Sequence, residues 1–567
     1  MRILFYEDPV TDYHTFMWRT PHVTLDATLY RALGPKWERR MLLNRHFTAL
    51  ALQNGMEPTD LIPVDEDAWT APLDDPQENV NALFQRHFDG AKPLQPPEHP
   101  RQRLASDLCR HYSDLVAAAL NGFKPDIIVA WVPTPFLRAL FPDALILHRE
   151  SGLFTRAPYP LTYYLDPCGL HQASWPARFA AQSRHPEALA AIEPLRAYYT
   201  DLFPAIDPYT DLAEQLAPFR KTILVATQVC GHFSFDAACA YRSPFHLALD
   251  VLNHAPADCA VLLGQHPNTA PLRDDEVAWL RERFPNFIHR PDFLGREGVS
   301  QHLLPYADAL ATVSSTLGWQ STFLGKPLIA LGKSQLNRFA QAETSKSIPA
   351  LLQAPPADTR AEAAWLVFHY CIPARLFEQP GWLDAYLSGR LEHWRQRGAD
   401  GYYDQPYAAP NDTAAAIVAE ANAKLESFIG PPLGQSGQDE AIDFNDSRRF
   451  GDGWSFCEHG GNASYRWIDG PKAILRLALT RSCSLSLRLA THAGCPDQAV
   501  TIGTGDTILA TAKIPAAQQI EVTINVSRTH LTHPATLLWL KAAQASAPQG
   551  DTRNLSLICQ NITVRPA

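Results

Sequence analysis

The stretch ALATVSSTLGWQSTFLGKPLIAL, residues 309–331, decides the fold class of this chain. It begins with a short apolar run, passes through three hydroxyl residues into a segment that we expect to be helical, and ends in a second apolar run. Aliphatic strands that alternate with helices are typical of a parallel sheet covered on both faces. The stretch therefore predicts one strand–helix–strand unit of an α/β protein.

The same alternation continues on both sides of this unit. In the half of the chain that contains it, apolar runs predict further strands at 222–226, 259–263 and 287–289. Nearer the amino terminus, similar runs predict strands at 2–6, 61–64, 125–131 and 144–147 around a helix at 101–121. We therefore predict two α/β lobes, residues 1–215 and residues 216–430, of which the second ends in a helical return.

The pattern changes after a linker rich in glycine and proline, residues 431–443. Apolar and polar residues then alternate with a period of two, which predicts an antiparallel β-sandwich over residues 444–567. Trp454 and Trp467 lie near its expected turns. We interpret them as core residues, and stacking on sugar rings is the alternative.

Composition excludes several classes of protein. Hydrophobic residues make up 46% of the chain and charged residues 19%, an ordinary balance for a globular protein, and the net charge of −10 argues against a nucleic-acid partner. No apolar run reaches the roughly 20 residues of a membrane span, and the amino terminus is expected to form a strand instead of a secretory signal. We expect a cytoplasmic protein, with peripheral association at the inner face of the inner membrane as a further possibility.

Cofactor motifs are missing from the sequence. The ten cysteines form no Cys-x-x-Cys pair, and neither a dinucleotide-binding glycine motif nor a phosphate-binding Walker loop occurs. Acidic runs such as Asp65-Glu66-Asp67 are typical of solvated faces. We therefore predict no zinc site and no NAD or ATP cofactor.

The first candidate cluster is His148-Arg149-Glu150-Ser151-Gly152, expected in the loop after the strand at 144–147. Ligands of open α/β sheets bind at the carboxyl ends of strands, where Glu150 could deprotonate a hydroxyl or attack an anomeric carbon. Gly152 would allow a sugar to approach the backbone, and Arg149 and the later acidic loop at Asp166 are candidates for acceptor contact. The alternatives are a plain surface loop and, at Asp166, a structural turn.

Two further clusters follow strands of the second lobe. His266-Pro267 comes after the strand at 259–263, where an imidazolium could neutralise a departing phosphate. Ser314, Ser315 and Thr316 come after the strand at 309–313, where hydroxyl and N–H groups can bind an anion. The alternatives are an ordinary turn and an ordinary helix cap.

Taken together and in this order, the three clusters resemble the capsule polysaccharide biosynthesis family, whose characterised members include Kdo transferases. The same three motifs are similar to those of bacterial GT-B sialyltransferases. These families use an acidic-x-Gly motif for the catalytic carboxylate, and His-Pro and Ser-Ser/Thr motifs to hold the CMP phosphate of the donor. The resemblance spans roughly 140–340 and implies a GT-B-like pair of Rossmann-type lobes, followed here by an all-β sandwich domain.

The resemblance also implies roles for individual residues. Glu150 would be the catalytic carboxylate, and His266, Pro267 and the hydroxyls of 314–316 would bind the donor. Retaining Kdo transferases of this kind carry an aspartate shortly after a strand-Gln-Val element, whereas here Gln228-Val229 is followed by no carboxylate before Asp236. Either Asp236 fills that role, or His232 replaces it, or the donor and the stereochemistry differ.

A GT-B enzyme that neutralises phosphate with histidine and hydroxyl groups needs no divalent ion, so the resemblance implies no metal ion and no cofactor. We therefore predict a metal-independent glycosyltransferase that moves a sugar, Kdo or a related ulosonate, from a nucleotide donor to a bacterial surface polysaccharide or glycolipid. Gln228 would contact the donor. Two alternatives stay open: a polyol-phosphate transferase of the teichoic-acid type, and a glycan-binding scaffold without catalysis.

Overall fold

The computed structural model describes most of the chain. The described residues are 1–10, 15–70, 73, 79–207, 209, 212–264, 272–290, 293, 298–402, 409–451, 453–460, 463–492, 496–532, 535–545 and 555–567. They form two compact units. One combines residues 1–194 with 219–417, and the other combines residues 195–218 with 418–567.

The first unit contains a seven-stranded sheet built mainly from the amino-terminal part of the chain. Five neighbouring strands, from Leu145–Ser151 to Leu61–Val64, are parallel to one another. At one edge, Thr162–Asp166 and Ile372–Pro373 each pair with the preceding strand in antiparallel register. The apolar runs fill its interior, since Ile3, Ile127 and Leu145 are fully buried. In spatial order the strands are Ile372–Pro373, Thr162–Asp166, Leu145–Ser151, Ile127–Ala130, Arg2–Tyr6, Glu38–Asn44 and Leu61–Val64.

The second sheet of this unit has five strands, and all of them are parallel. The order of the strands reverses between Lys221–Ala226 and Ala309–Thr312, which are neighbours in the sheet. Ile223, Val261 and Ala311 lie in one buried cluster with apolar residues of the flanking helices. In spatial order the strands are Phe287–Ile288, Cys259–Gly264, Lys221–Ala226, Ala309–Thr312 and Leu328–Ala330.

Most of the helices belong to the first unit; Leu212–Leu216 and Glu426–Ile429 belong to the second, and Pro186–Ala205 and Pro410–Lys424 each contain a sequence limit between the units. Those of the amino-terminal part are Thr15–Ala32, Thr48–Gln53, Glu66–Trp69, Val80–His87, Pro100–Leu120, Pro135–Leu140, Trp175–Arg178 and Pro186–Ala205, with Leu212–Leu216 after them. Those of the later part are Phe233–Asp236, Pro244–His254, Asp274–Arg283, Val299–Leu303, Leu317–Phe323, Ile348–Gln353, Arg360–Trp365, Trp382–Arg397, Pro410–Lys424 and Glu426–Ile429. A small hairpin pairs Phe88–Asp89 with Lys92–Pro93.

One strand is longer than the sequence predicts. The expected loop at 148–151 is part of strand Leu145–Ser151, because these four residues pair with Thr162–Asp166 in antiparallel register. Side chains alternate across a strand, so consecutive residues of this segment point to opposite faces of the sheet. This extension determines which side chains of the cluster reach the site described below.

The second unit is dominated by two antiparallel sheets. Leu485, Leu557, Leu475 and Val500, which come from both sheets, belong to one buried apolar cluster. One sheet contains Glu458–Gly460, Ala463–Asp469, Leu555–Pro566, Cys483–Ala490 and Gln519–Val526, and Glu440–Ala441 pairs with its third strand. The other contains Lys472–Leu477, Thr536–Ala542, Gln498–Thr504 and Thr507–Ile514.

The predicted mixed α/β class, with parallel sheets and a separate β-sheet region, is confirmed. The domain limits at 215, 430 and 443 stay predictions. Within the described ranges, no helix is both long and apolar enough to cross a membrane.

Candidate functional site

A cavity of about 250 Å³ lies at the carboxyl ends of strands from both sheets of the first unit. From the first sheet it is lined by Glu150 and Ser151, at the end of strand Leu145–Ser151. From the second sheet it is lined by residues 226–229 and 314–317, which follow the two strands where the strand order reverses. Open α/β sheets bind their ligands at such a reversal, so the cavity is the candidate site.

The carboxylate of Glu150 is held at both of its oxygens. The indole Nε1 of Trp131 donates to Oε2 at 2.6 Å, and the backbone N–H of Ser151 donates to Oε1 at 2.6 Å. Burial raises the pKa of Glu150, while these hydrogen bonds and the charge of Arg149 act in the opposite direction. The site therefore contains an oriented carboxylate with a raised proton affinity, which suits a general base or a nucleophile.

Arg149 lies on the opposite face of the same strand, away from the cavity. Its guanidinium is fully buried, forms an ion pair with Glu7, and donates through Nε to Asp26 Oδ1 at 2.5 Å. Coulombic attraction from both carboxylates raises the pKa of Arg149 against the effect of burial. The structure gives this residue a buried ion-pair environment and does not bring it into the cavity.

The hydroxyl cluster and Gln228 meet across the second sheet. Gln228 Nε2 donates to Ser314 Oγ at 2.7 Å, and the Ser314 N–H donates back to Gln228 Oε1 at 2.9 Å. Ser314 is itself buried and donates its hydroxyl to the backbone oxygen of Ser234 at 2.6 Å. Ser315 and Thr316 are half-buried and line the cavity. Ser314 therefore anchors the turn that brings Ser315 and Thr316 to the cavity.

His232 and Asp236 differ in their relation to the cavity. His232 lines it and contacts the Ser234 hydroxyl through Nδ1 at 2.7 Å. Asp236 is not part of the lining, and its Oδ1 accepts a hydrogen bond from the Gly231 N–H at 3.2 Å. Of these two candidates, the structure brings only His232 to the site.

Gly152 and Asp166 lie behind the site. A Cβ at residue 152 would lie 2.5 Å from Thr162 Oγ1, so glycine is required by strand packing. Asp166 accepts hydrogen bonds at 2.7 Å from the Trp175 N–H and the Tyr370 hydroxyl, and burial raises its pKa to about 6. Neither residue lines the cavity.

The predicted pair His266 and Pro267 lies outside the described residues. The strand before it, Cys259–Gly264, ends beside Lys221–Ala226 in the second sheet. The role of this pair stays a prediction.

Several polar residues that the sequence pattern did not single out also line the cavity, among them Arg156, His171, Gln301 and Gln335. Gln335 links Ser314 to His171, because its Nε2 donates to Ser314 O at 3.2 Å and its Oε1 lies 3.3 Å from His171 Nδ1. Burial lowers the pKa of His171 to about 4. The backbone around Arg156 is fixed by Gln301, whose Nε2 donates to Ala157 O at 2.6 Å.

Only Arg156 had a usable signal in the sequence, since it lies four residues after Gly152 in the same connection. It is the one lysine or arginine among the described lining residues. His171, Gln301 and Gln335 come from distant parts of the chain, and no local motif marks them.

The arrangement combines an oriented carboxylate with amide, hydroxyl and guanidinium groups around one cavity. Such donors bind anions, and a nearby carboxylate can accept a proton from a hydroxyl. In the described part of the chain, no three metal-ligating side chains come together. Metal independence stays a prediction.

Comparison with known proteins gives a family match over part of the chain. Residues 209–339 match the family model described as capsule polysaccharide biosynthesis protein. No curated protein matches the chain. Glu150 lies outside the matched segment, whereas Gln228, the His-Pro pair and the hydroxyl cluster lie within it.

Solved structures give weak likenesses. A β-Kdo 2,7 transferase, KpsC of Thermosulfurimonas dismutans, is 16% identical over 49% of this chain and 90% of its own, with a TM-score of 0.28. A carbohydrate-binding module of Cellvibrio mixtus lichenase 5A is 15% identical over 23% of this chain and 97% of its own, with a TM-score of 0.16. TM-scores this low support no conclusion about function. The family match over residues 209–339 confirms the resemblance to the capsule polysaccharide biosynthesis family that the motifs predict.

Proposed function

We propose that this chain is a glycosyltransferase of capsule polysaccharide biosynthesis, which moves a sugar from a nucleotide-activated donor to a growing surface glycan. One observation carries the proposal. A single cavity is lined by the oriented carboxylate of Glu150 and by the anion-binding groups of Ser315, Thr316 and Arg156. A glycosyl donor needs both, because its reacting carbon loses an anionic nucleotide phosphate while an acceptor hydroxyl loses a proton.

In this proposal each group has one task. Glu150 accepts the proton of the acceptor hydroxyl or attacks the anomeric carbon. Ser315, Thr316 and Arg156 bind the phosphate that carries the departing charge. His232 lines the cavity where Asp236 does not, which favours His232 as the residue in place of the aspartate of retaining relatives.

The donor that we propose is CMP-Kdo or a related CMP-ulosonate. This choice rests on the motif resemblance that includes His266 and Pro267, and on the family match. Arg156 supports an anionic donor, because guanidinium groups bind carboxylates and phosphates in bidentate geometry. We propose that transfer needs no metal ion or cofactor and takes place on the cytoplasmic side of the inner membrane, where the chain would associate peripherally with the assembly machinery.

The finer architecture is also proposed. The two parallel sheets would be the Rossmann-type lobes of a GT-B enzyme, with limits near residues 215 and 430. The reversal of strand order in the second sheet supports this assignment. The two antiparallel sheets with their common apolar cluster support a β-sandwich over 444–567.

A thermal-shift screen against CMP, CDP, UDP, GDP and dTDP tests the nucleotide. A ligand that binds only the folded state raises its melting temperature. We expect CMP to stabilise the wild type, and His266→Ala and Thr316→Ala to reduce that stabilisation. A preference for CDP would favour polyol-phosphate transfer, and one for UDP, GDP or dTDP would remove the ulosonate donor. No response to any nucleotide would contradict the transferase proposal.

A further inference from the structure

Trp131 contacts the side chain of Glu150, the candidate catalytic carboxylate. It follows strand Ile127–Ala130, next to the strand that contains Glu150, and it is 4% exposed. Its Nε1 donates to Glu150 Oε2 at 2.6 Å, while the Ser151 N–H occupies Oε1. With one donor on each oxygen, the plane of the carboxylate is fixed, and each oxygen keeps capacity to accept a further hydrogen bond.

Three aromatic rings surround the indole of Trp131. The ring of His22 stacks on it with a centroid distance of 3.8 Å and an interplanar angle of 26°. His22 Nδ1 in turn lies 2.5 Å from Nη1 of the buried Arg149. The rings of Phe233 and His232, which come after strand Lys221–Ala226, also lie near the indole, at centroid distances of 6.4 and 5.8 Å.

We propose that Trp131 is a positioning residue that holds the Glu150 carboxylate in the orientation and the ionised form that transfer requires. The inference rests on the proposed function for its catalytic part. The geometric part, an indole donor bound to an ionisable carboxylate, can be tested without catalysis.

The direction of the expected pH effect follows from the hydrogen bond. A donor to a carboxylate stabilises its charged form and lowers its pKa. Loss of the indole N–H therefore raises the pKa of Glu150. As the pH is lowered, activity that needs the ionised form is then lost at a higher pH than in wild type. Other titratable or charged groups around this carboxylate are Arg149 on the same strand, Tyr163 and Tyr164 on the neighbouring strand, Arg156 and His171 in the cavity, and His22 and His232 beside the indole.

The first experiment follows the indole N–H resonances of ¹⁵N-labelled protein from about pH 4 to pH 8, in wild type and in Glu150→Gln. We expect one resonance, assigned by its absence in Trp131→Phe, to show a titration step that Glu150→Gln removes. The same step in both proteins would overturn the proposal. The indole resonance coupled to Glu150 is also recognised by the loss of its titration step in Glu150→Gln. The comparison therefore does not require that Trp131→Phe folds.

The second experiment measures transfer by Trp131→Phe, which keeps an aromatic ring against His22 but has no N–H. We expect kcat to fall about tenfold or more, KM for the donor to stay nearly unchanged, and the acid limb of the pH–rate profile to move up by about one unit. Trp37→Phe is the matched control, since the Trp37 indole also donates to a carboxylate, Asp384 Oδ1 at 2.8 Å, away from the cavity. It should keep the wild-type pH profile.

The outcomes separate the two proposals. A wild-type pH profile in a folded Trp131→Phe would overturn the positioning role. If the wild type transfers no sugar while the indole resonance keeps its Glu150-dependent step, the proposed function fails, and the binding of Trp131 to an ionisable Glu150 stands.

Discussion

Gln228 and Ser314 exchange two hydrogen bonds across the carboxyl ends of neighbouring strands, at 2.7 and 2.9 Å. Each residue donates once to the other, and the Ser314 hydroxyl also donates to Ser234 O. The pair fixes the turn that presents Ser315 and Thr316 to the cavity. The stability of this sheet edge and the positions of Ser315 and Thr316 therefore depend on the same hydrogen bonds.

The first prediction concerns this pair. Ser314→Ala removes the hydroxyl that accepts from Gln228 Nε2 and donates to the Ser234 carbonyl, so we expect the free energy of unfolding to fall by about 1–3 kcal/mol. Urea denaturation measures it. Ser315→Ala is the control, since that half-buried hydroxyl accepts only a weak 3.3 Å hydrogen bond from the Leu317 N–H among the bonds described, and should change stability little. Equal stability of Ser314→Ala and wild type would contradict this account of the turn.

Arg149 is predicted to stabilise the folded protein. Arg149→Leu leaves the carboxylates of Glu7 and Asp26 buried without their cation, which typically costs about 3–5 kcal/mol. We expect a large loss of melting temperature. Arg45→Leu, which breaks an exposed ion pair with Asp65, should leave the transition in place. A stable Arg149→Leu that has lost acceptor binding would instead support an acceptor role.

The buried ring of His148 is predicted to make the folded protein less stable at acidic pH. Burial, followed by the charge of Arg138, lowers the pKa of His148 to about 3, so the folded protein keeps this ring neutral where the unfolded chain binds a proton. Stability from this group is therefore complete above about pH 6.5 and is lost as the pH falls, by about 2 kcal/mol at pH 5.

His148→Gln checks this contribution. The difference in unfolding free energy between pH 8 and pH 5 should shrink by that amount, whatever the variant does to absolute stability. His46→Gln, which replaces an exposed ring, is the control and should keep the wild-type difference. An unchanged pH dependence in His148→Gln would show that its ring does not remain neutral.

Arg156 is predicted to bind the anionic part of the donor. Charge-assisted hydrogen bonds contribute about 1.5–3 kcal/mol, so Arg156→Gln should weaken CMP binding by roughly 10- to 100-fold. Isothermal titration calorimetry measures this affinity, and Arg156→Lys should recover part of it. Arg178→Gln, which removes a cation paired with Asp89 outside the cavity, is the control. Wild-type affinity in Arg156→Gln would remove this residue from the donor site.

Much of the fold could be predicted because buried parallel strands are continuous apolar runs. The strands at Arg2–Tyr6 and Leu61–Val64 have the predicted limits. Glu38–Asn44 was missed, because its first three residues are charged and half or fully exposed before it becomes buried. Ile372–Pro373 was also missed, since a two-residue edge strand has no periodicity to detect.

The site was predicted only where its chemistry is local in sequence. Glu150, Gln228 and the hydroxyls of 314–316 line one cavity, as strand-end positions lead one to expect. Arg149 points away from the cavity because its strand pairs with Thr162–Asp166. No motif in the sequence around residue 149 indicates this pairing. Trp131 was missed for the same reason, because its hydrogen bond to Glu150 joins two strands that become neighbours only in the folded sheet.

The central claim is transfer at Glu150, and the most direct measurement is the release of CMP from CMP-Kdo in the presence of a capsule glycan acceptor, by wild type and by Glu150→Gln. General base or nucleophile chemistry is typically worth about 10²–10⁴ in rate. We predict that Glu150→Gln loses at least about 100-fold in turnover while CMP still raises its melting temperature as it does in wild type. Turnover that survives in Glu150→Gln would contradict the account.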